Sequence, residues 1–359
     1  MAAPRIIREE IAALAAYHVQ LAAGLIKLDA MENPFAFPES LRAGLAEALA
    51  TASLNRYPSA TADQLKDAIR GAMNIAPGLD ILLGNGSDEI IQIIAMACAK
   101  PGAAMLSVEP AFVMFKMIAT FCGLEYIGVP LKADFEMDID AMLAAIDAKK
   151  PAVTFIAYPN NPTGNLFDRE SIRRIIAACE KHGGLVVIDE AYFAFSLESF
   201  LHDIEKYPNA VLMRTVSKLG LAGARLGMLI GRSHWLTEFD KLRLPYNINV
   251  LTQAAATFAM QHYGALLQQA EILKSERIRL GLALDKIASL AKITRFPSEA
   301  NFILVRLPDA DKTFKALLSR KILVKNTGKS HALMANTLRL TIGTPAENDA
   351  LIAALQESL

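Results

Sequence analysis

The chain of 359 residues has little cysteine, no net charge and no long apolar run. Its cysteines, Cys98, Cys122 and Cys179, lie far apart and match neither a CxxC pair nor a zinc spacing, which predicts buried free thiols and no metal site. The 37 Lys and Arg residues balance the 37 Asp and Glu residues, which argues against nucleic-acid binding. A hydrophobic content of 53% also excludes a strongly charged disordered protein.

A membrane span is not indicated by the apolar residues. The longest apolar stretch, residues 90–99, is interrupted by Gln92 and followed by Lys100, and it is far shorter than the about 20 residues that a span needs. Charged residues at positions 8–10 lie where a secretion signal would have its apolar region. The sequence predicts a cytoplasmic protein without membrane association, and the mean hydropathy of +0.29 suggests additional buried surface, such as a subunit interface.

Short segments rich in Val, Ile and Leu alternate with helical patterns between about residues 79 and 230. These segments lack polar–apolar alternation, as is typical of strands buried on both faces. The predicted strands are Ile81–Leu83, Ala104–Val108, Glu125–Val129, Val153–Ala157, Leu185–Ile188, Val211–Thr215 and Arg225–Ile230. Repeated strand–helix alternation predicts an α/β fold with a mostly parallel central sheet flanked by helices.

The pattern changes after about residue 250. Residues 252–290 have the pattern of one long helix, and two further strands and two amphipathic helices follow. This arrangement predicts a smaller α+β domain joined to the large one through a helix. The predicted parts are an N-terminal segment at 1–34 that packs on the small domain or at a subunit interface, a large domain at 35–250 and a small domain at 251–359.

Four motifs follow predicted strands, where open parallel sheets bind their ligands. The first, GNGSDEII at Gly84–Ile91, precedes a long apolar helix. Its glycines allow a tight turn, and the amides of Ser87 and Asp88 would lie at a helix N-terminus, whose partial positive charge suits a phosphate. The alternative is simple N-capping by Ser87 or Asp88. The glycine pattern matches neither a Walker A motif nor GxGxxG, so nucleotide binding is not indicated.

Each of the other three motifs places a polar side chain at a strand end. YPNNPTGN at Tyr158–Asn165 is typical of a turn, but it also positions the amide of Asn161 to donate to a ligand. In VIDEAYFAF, Asp189 ends a buried strand, where a carboxylate needs a cation, hydrogen-bond donors or the role of a helix N-cap. In TVSKLGLAGARLG, Lys218 is either a surface lysine or a desolvated amine with a lowered pKa that can act as a nucleophile.

The order of these motifs resembles the fold-type I pyridoxal-phosphate aminotransferases, and specifically the histidinol-phosphate aminotransferase family. The intervals between Asn161, Asp189, Lys218 and Arg225 are 28, 29 and 7 residues. Further segments extend the resemblance over nearly the whole chain. They are KLDAMENPF at Lys27–Phe35, NRYP at Asn55–Pro58, PSEANFILVRL at Pro297–Leu307 and LRLTIGTPAEN at Leu338–Asn348.

The resemblance implies pyridoxal 5′-phosphate as the cofactor. Lys218 would hold it as a Schiff base and later shuttle the proton of the substrate. Asp189 would pair with the pyridinium nitrogen and keep it protonated. Asn161 and Tyr192 would donate to the 3′ oxygen of the ring. Phe112 matches the aromatic position that stacks on the ring, and the alternative is a core phenylalanine.

The resemblance also assigns the residues that would bind the two phosphates. The cofactor phosphate would be held by Ser87, Asp88, Ser217, Arg225 and, from a neighbouring subunit, Tyr57. The last of these contacts implies a homodimer with shared active sites. The substrate anion would be bound by Arg339, with Lys325 and Tyr17 as further substrate-binding candidates.

Two positions depart from the family pattern. Lys218 and Arg225 are seven positions apart, whereas the family pattern has eight, so one residue is missing from the loop that joins them. Lys325 stands where a second substrate arginine is expected; a lysine keeps the charge and loses the bidentate geometry.

The implied activity is transamination between histidinol phosphate and 2-oxoglutarate in histidine biosynthesis, with these small molecules as partners. Alternatives with the same fold are an aromatic or broad-specificity amino-acid aminotransferase and a phospho-amino-acid decarboxylase, because a few pocket side chains decide the substrate. A non-catalytic cofactor-binding module is a further alternative, against which the presence of Lys218 argues.

Overall fold

The computed structural model describes residues 6–16, 20–289 and 291–359, so the candidate Tyr17 lies outside the described residues. The strands are β1 (Ile26–Leu28), β2 (Asp80–Gly84), β3 (Ala104–Glu109), β4 (Glu125–Pro130), β5 (Val153–Ala157), β6 (Leu185–Asp189), β7 (Ala210–Thr215), β8 (Gly227–Gly231), β9 (Thr294–Arg295), β10 (Phe302–Arg306), β11 (Ile322–Asn326) and β12 (Thr337–Thr341). The α-helices are α1 (Glu9–Ala12), α2 (Glu39–Ala50), α3 (Asp63–Met73), α4 (Ser87–Cys98), α5 (Val113–Cys122), α6 (Ile139–Lys149), α7 (Arg169–Glu180), α8 (Ser233–Asp240), α9 (Val250–Gln261), α10 (Tyr263–Ala288), α11 (Ala310–Ser319) and α12 (Pro345–Ser358).

Within the described residues, a seven-stranded sheet has the order β2-β8-β7-β6-β5-β3-β4. Strands β3 to β7 pair in parallel, which confirms the predicted mostly parallel sheet. Strand β8 is antiparallel to both β7 and β2, and this reversal places Gly227 opposite Thr215 on one side and Gly84 on the other. The first and the fourth motif therefore lie next to each other, where the ends of β2 and β7 flank the start of β8.

Helices cover both faces of this sheet and bury their apolar sides against it. Helix α7 is an example: Ile172, Ile175 and Ile176 are buried on one stripe, and each fully buried side chain contributes roughly 1.5–3 kcal/mol. The helix begins where the sequence predicts it, because the carboxylate of Asp168 accepts the N–H of Ser171 at 2.8 Å.

A second sheet of five strands, again within the described residues, has the order β1-β11-β12-β10-β9. Strand β1 comes from the N-terminal part of the chain and pairs in parallel with β11, with Ile26 opposite Ile322. Earlier in the same segment, Arg8 donates a hydrogen bond to the carbonyl of Phe121 on α5 at 2.6 Å. The segment thus contacts both the smaller sheet and a helix of the larger one, and the division at 34/35 and 250/251 stays a prediction.

The long helix predicted over 252–290 is wrong, because α9 and α10 are separate helices that meet at His262. Helix α9 packs against α2 and α3, whereas α10 packs against α12 and β9. The sequence contains no breaker at this point, and Gly264 and Gly281 both lie inside α10. A helix tolerates an interior glycine at a cost of about 1 kcal/mol, so packing rather than glycine decides where the helix ends.

The three cysteines are free, but only Cys179 is buried. Cys98 and Cys122 are half-buried because they lie at the last positions of α4 and α5, so the predicted burial is wrong for these two. In the described part of the chain, no helix is long and apolar enough to cross a membrane. No group of three or more His, Cys, Asp or Glu side chains in that same part is placed to hold a metal ion.

Candidate active site

A cavity of about 110 Å³ lies at the ends of the central strands of the larger sheet. Side chains from all four motifs line it, although they are separated by up to 138 positions. The predicted residues that line it are Ser87, Asp88, Phe112, Asn161, Asp189, Tyr192, Ser217, Lys218 and Arg225. Thr215 and Met31 also line it and were not singled out from the sequence, although both lie within the quoted segments.

One wall of this cavity is the N-terminus of α4. The helix begins at Ser87 after Gly86, which has a φ of +85°, and no side chain in the described part of the chain caps it. The N-capping alternative for Ser87 and Asp88 is therefore wrong. A Cβ on Gly227 would lie 2.7 Å from the amide nitrogen of Ser87. Glycine is therefore required at this position for β8 to lie so close to the N-terminus of α4. The uncapped amides and the helix dipole form an anion site.

Arg225 reaches this anion site despite the shortened loop. Its backbone adopts a φ of +48°, and its guanidinium lies so close over Gly86 that a Cβ there would be 2.5 Å from Nη2. The same nitrogen is 3.8 Å from Oδ2 of Asp88. The other oxygen of Asp88 is buried and has no hydrogen-bond partner among the described residues, and burial raises the pKa of this carboxyl, against the opposing charge of Arg225.

Lys218 extends from the turn after β7 and places its amine inside the cavity. Nζ donates a hydrogen bond to the carbonyl of Ala30 at 3.1 Å. Burial, and next the positive charge of Arg339, lower the pKa of this lysine to about 8. A substantial fraction of the amine is therefore neutral near physiological pH, which is the nucleophilic form.

Asp189 ends β6 and is buried in the cavity wall. Its Oδ1 accepts the N–H of Ala191 at 3.0 Å within a turn, and because no helix begins there in the described structure, the N-cap alternative is wrong. Burial, with smaller contributions from Asp88 and Glu190, raises the pKa of Asp189 to about 7. Such a carboxylate gains most from a cationic partner, such as a protonated ring nitrogen.

Glu190, the residue after Asp189, does not line the cavity and instead connects the end of β6 to β7. Glu190 donates its N–H to Met213 O of β7 at 2.8 Å, and its carboxylate accepts from Nη2 and Nε of Arg214 at 2.7 and 3.1 Å. Both side chains of this ion pair are buried. Loss of one partner would leave a buried, unpaired charge and strongly destabilise the protein. The pair therefore fixes the strand ends that carry Asp189 and Lys218. This pair was not predicted, because nothing in the sequence spacing connects its two members.

A second cavity of about 370 Å³ adjoins the first and shares Met31, Phe112 and Asn161 with it. Its far wall comes from the smaller sheet and contains the substrate candidates Arg339 and Lys325, which face each other across β11 and β12. His331 lines the same wall and was not predicted. Arg339 and Lys325 make this wall suitable for an anionic group. Lys116 lines the cavity too, but it pairs with Glu109 at 3.3 Å.

A chain of hydrogen bonds connects the two cavities. Nη1 of Arg339 donates to Oδ1 of Asn161 at 2.7 Å, and Nδ2 of Asn161 donates to the hydroxyl of Tyr192 at 3.0 Å. The ring of Phe302 supports both ends, with the Tyr192 ring edge-on at 5.3 Å and the Arg339 guanidinium also at 5.3 Å. Asn161 is thus held rigidly between the larger and the smaller sheet.

Residues 29–31, which we call the strap, end at Met31, which lines both cavities. Three consecutive carbonyls of the strap accept side-chain donors: Asp29 from Arg339 at 2.9 Å, Ala30 from Lys218 at 3.1 Å, and Met31 from Asn301 at 2.9 Å. The donors come from the turn after β7 and from the smaller sheet or the residue beside it. The strap therefore fixes the position of Lys218 relative to Arg339.

Tyr57 lies apart from the other candidates. Its side chain is 81% exposed and stacks on Tyr246, with the ring centroids 4.6 Å apart. A single chain does not bring it to the cavity, so its role stays a prediction that depends on a second subunit.

The fold and the site define an aminotransferase of fold type I, and this chain belongs to the aminotransferase class I and II family, whose model matches residues 23–355. Histidinol-phosphate aminotransferase 1 of Burkholderia lata is 53% identical over 354 residues, which cover 99% of this chain and 98% of the relative. Histidinol-phosphate aminotransferase 2 of Cupriavidus pinatubonensis is 49% identical and covers 99% of this chain and 97% of its own length.

Solved structures show the same fold. The histidinol-phosphate aminotransferase of Sinorhizobium meliloti, solved in complex with pyridoxal-5′-phosphate, has a TM-score of 0.86 at 23% identity, covering 99% of this chain and 98% of that one. The enzyme of that name from Clostridium acetobutylicum has a TM-score of 0.84 at 24% identity, covering 93% and 98%. The predicted fold class is confirmed.

Proposed function

We propose that this chain transfers the amino group of L-histidinol phosphate to 2-oxoglutarate, with pyridoxal 5′-phosphate as the cofactor, in histidine biosynthesis. The observation that carries this proposal is the pair of adjoining cavities: one holds Lys218, Asp189 and a helix N-terminus, and the other holds Arg339 and Lys325. About 50% identity to histidinol-phosphate aminotransferases over nearly the full chain supports the same activity.

The residues of the smaller cavity fit the cofactor. The uncapped amides of Ser87 and Asp88, with Arg225, would bind its phosphate, and Ser217 would add a hydroxyl. The raised pKa of buried Asp189 is what a partner of a protonated ring nitrogen relieves. When bound, pyridoxal phosphate supplies the electron sink on which transamination depends.

Three further side chains would orient the ring. Asn161 and Tyr192, already joined by a hydrogen bond of 3.0 Å, would bind its 3′ oxygen. Phe112, at the start of α5 and on the wall of both cavities, would cover one face. The half-buried position of Phe112 between the cavities supports this role over that of a core residue.

Lys218 would move the proton of the substrate. Its amine would attach the cofactor to the protein, and once free it would act as a general base and acid. Nζ would accept the proton from the substrate carbon and later return it. The lowered pKa of about 8 suits this role.

The larger cavity would bind both substrates in turn. Arg339 offers a planar fork to the phosphate of histidinol phosphate or to the side-chain carboxylate of glutamate. Lys325, opposite Arg339 across the strands, would add a second positive charge. Tyr17 remains a candidate for closing over the substrate.

A substrate panel tests the proposed function. We expect kcat/KM for histidinol phosphate to exceed that for phenylalanine by at least about 100-fold, because phenylalanine leaves the charged groups of the larger cavity unpaired. The measurement is the rate of glutamate formation from 2-oxoglutarate with each donor. A preference for phenylalanine would identify an aromatic aminotransferase, and release of CO₂ from a phosphorylated amino acid would identify a decarboxylase.

We also propose that the chain works as a homodimer in the cytoplasm. Exposed apolar side chains near Tyr57, such as Leu54 at 74% and Leu244 at 71%, support an interface there. The three free cysteines accord with a reducing compartment. We expect light scattering to give a mass of twice 38.9 kDa; an active species with the mass of one chain would refute the shared site.

A further inference from the structure

His331 lines the larger cavity together with Arg339 and Lys325. It precedes the short helical turn Ala332–Met334, and its Nδ1 accepts the N–H of Leu333 at 3.1 Å. Because Nδ1 is an acceptor, the proton of the neutral imidazole resides on Nε2. The local fold therefore fixes His331 as a donor through its outer nitrogen.

Two nearby hydroxyl groups, those of Ser330 and Thr327, donate to carbonyls within the protein. The hydroxyl of Ser330 donates to Thr327 O at 2.8 Å, and the hydroxyl of Thr327 donates to Thr337 O at 3.1 Å. In contrast, neither Lys325 Nζ nor His331 Nε2 has a hydrogen-bond acceptor in the described part of the chain. Lys325 Nζ and His331 Nε2 can therefore both donate to a ligand in the larger cavity.

Arg339 alone cannot satisfy a phosphate. Two of its N–H groups donate to Asn161 and to the strap carbonyl of Asp29, and Lys325 provides a point charge without the fork of an arginine. A carboxylate has two oxygens, which one fork can bind, whereas a phosphate monoester presents three. The third oxygen needs a further donor, and Lys116, which also lines this cavity, already pairs with Glu109 at 3.3 Å.

We propose that His331 is a phosphate-binding residue that makes this site specific for a phosphorylated donor, its Nε2–H binding the phosphate oxygen that Arg339 and Lys325 leave. This inference rests on the proposed function and deepens it. The two half-reactions then differ in one contact: histidinol phosphate uses His331, and glutamate does not require it.

The test compares two substitutions of opposite design. In His331→Asn, the side-chain oxygen can still accept the N–H of Leu333, because asparagine is a good N-cap, but the Nε2 donor is lost. In His331→Gln, the amide nitrogen reaches the position of Nε2 while the cap is weakened. The asparagine variant thus isolates phosphate binding from local structure.

We expect His331→Asn to raise KM for histidinol phosphate about tenfold or more, as for a lost hydrogen bond to a charged group. KM for glutamate should change less than about twofold, since the Arg339 fork holds its carboxylate. Inorganic phosphate, as a competitive inhibitor of the holoenzyme with glutamate, should bind about tenfold more weakly to this variant. His331→Gln should recover most of the loss for both phosphate ligands.

Equal losses for glutamate and histidinol phosphate would assign His331 a structural role and overturn the proposal, as would unchanged constants. A melting temperature of His331→Asn equal to that of the parent excludes unfolding as the cause. If the parent enzyme does not use histidinol phosphate, the proposed function fails. The phosphate inhibition then still decides whether His331 binds a phosphate.

Discussion

Replacing Lys218 by alanine is expected to lower kcat by at least about 10⁴-fold, because the change removes the amine that we propose as both nucleophile and general base. Among the described residues that line the cavity of about 110 Å³, Lys218 is the only one with a side-chain amine. The methyl group that remains cannot attach the cofactor. Single-turnover kinetics with histidinol phosphate would measure the loss at the proton-transfer step.

A spectroscopic readout separates this loss from unfolding. The parent protein loaded with pyridoxal phosphate should show the visible absorption of the lysine-bound cofactor, and Lys218→Ala should lack that band while still folding. Lys241→Ala is the matched control, since that lysine is exposed and pairs with Glu238 on the surface. Persistence of the band in Lys218→Ala would assign the covalent link to another residue.

Replacing Asp189 by asparagine is expected to lower kcat by roughly 10²–10³-fold, the usual loss when one preorganised electrostatic partner is removed. The variant preserves the shape of the side chain, and its amide no longer holds a proton on the ring nitrogen. KM should change less than kcat, because the substrate contacts of the larger cavity are untouched. A variant with unchanged kcat would remove Asp189 from the mechanism.

The same variant is expected to stabilise the cofactor-free protein at alkaline pH. Burial raises the pKa of Asp189 to about 7, from about 3.9 in an unfolded chain. Between these values the folded state holds a proton that the unfolded state has lost, so this residue makes stability fall as pH rises and is most unfavourable above pH 7. Asp189→Asn removes this effect and should melt at a higher temperature than the parent at pH 8.

The difference in melting temperature between Asp189→Asn and the parent should shrink as pH is lowered towards 4. Asp203→Asn is a control of opposite sign, because Lys206 and Arg169 hold the pKa of Asp203 below its ordinary value, so its loss should destabilise the protein above pH 4. A lower melting temperature for Asp189→Asn at pH 8 would contradict the burial argument. Together the two variants test whether the burial of Asp189 reduces stability.

Local patterns in the sequence predict the elements of the larger sheet well. Val153–Ala157 is predicted with the bounds it has, and Asp168 caps α7 as its position before an apolar stripe indicates. Composition does not encode strand direction or sheet order, so the reversal of β8 and the pairing of β1 with β11 were not predicted. Both depend on contacts between residues that are distant in sequence.

The candidate site shows the same limit. Lys218 and Asp189 were found because their motifs lie at strand ends, and the structure places both on one cavity. His331 and the Glu190–Arg214 pair gave no signal, since a histidine before a short turn and an arginine inside a strand are unremarkable in isolation. Their chemistry arises from neighbours that the fold supplies.

The strap has a consequence for the order in which the site is built. Its carbonyls at Asp29 and Ala30 bind side chains 310 and 188 positions further along the chain. During synthesis, the larger sheet can form from residues 80–231 while the strap has no partner in the smaller one. Arg339 can bind the carbonyl of Asp29 only after β12 has left the ribosome. The wall that Arg339 gives to the larger cavity is therefore one of the last parts of the molecule to assemble.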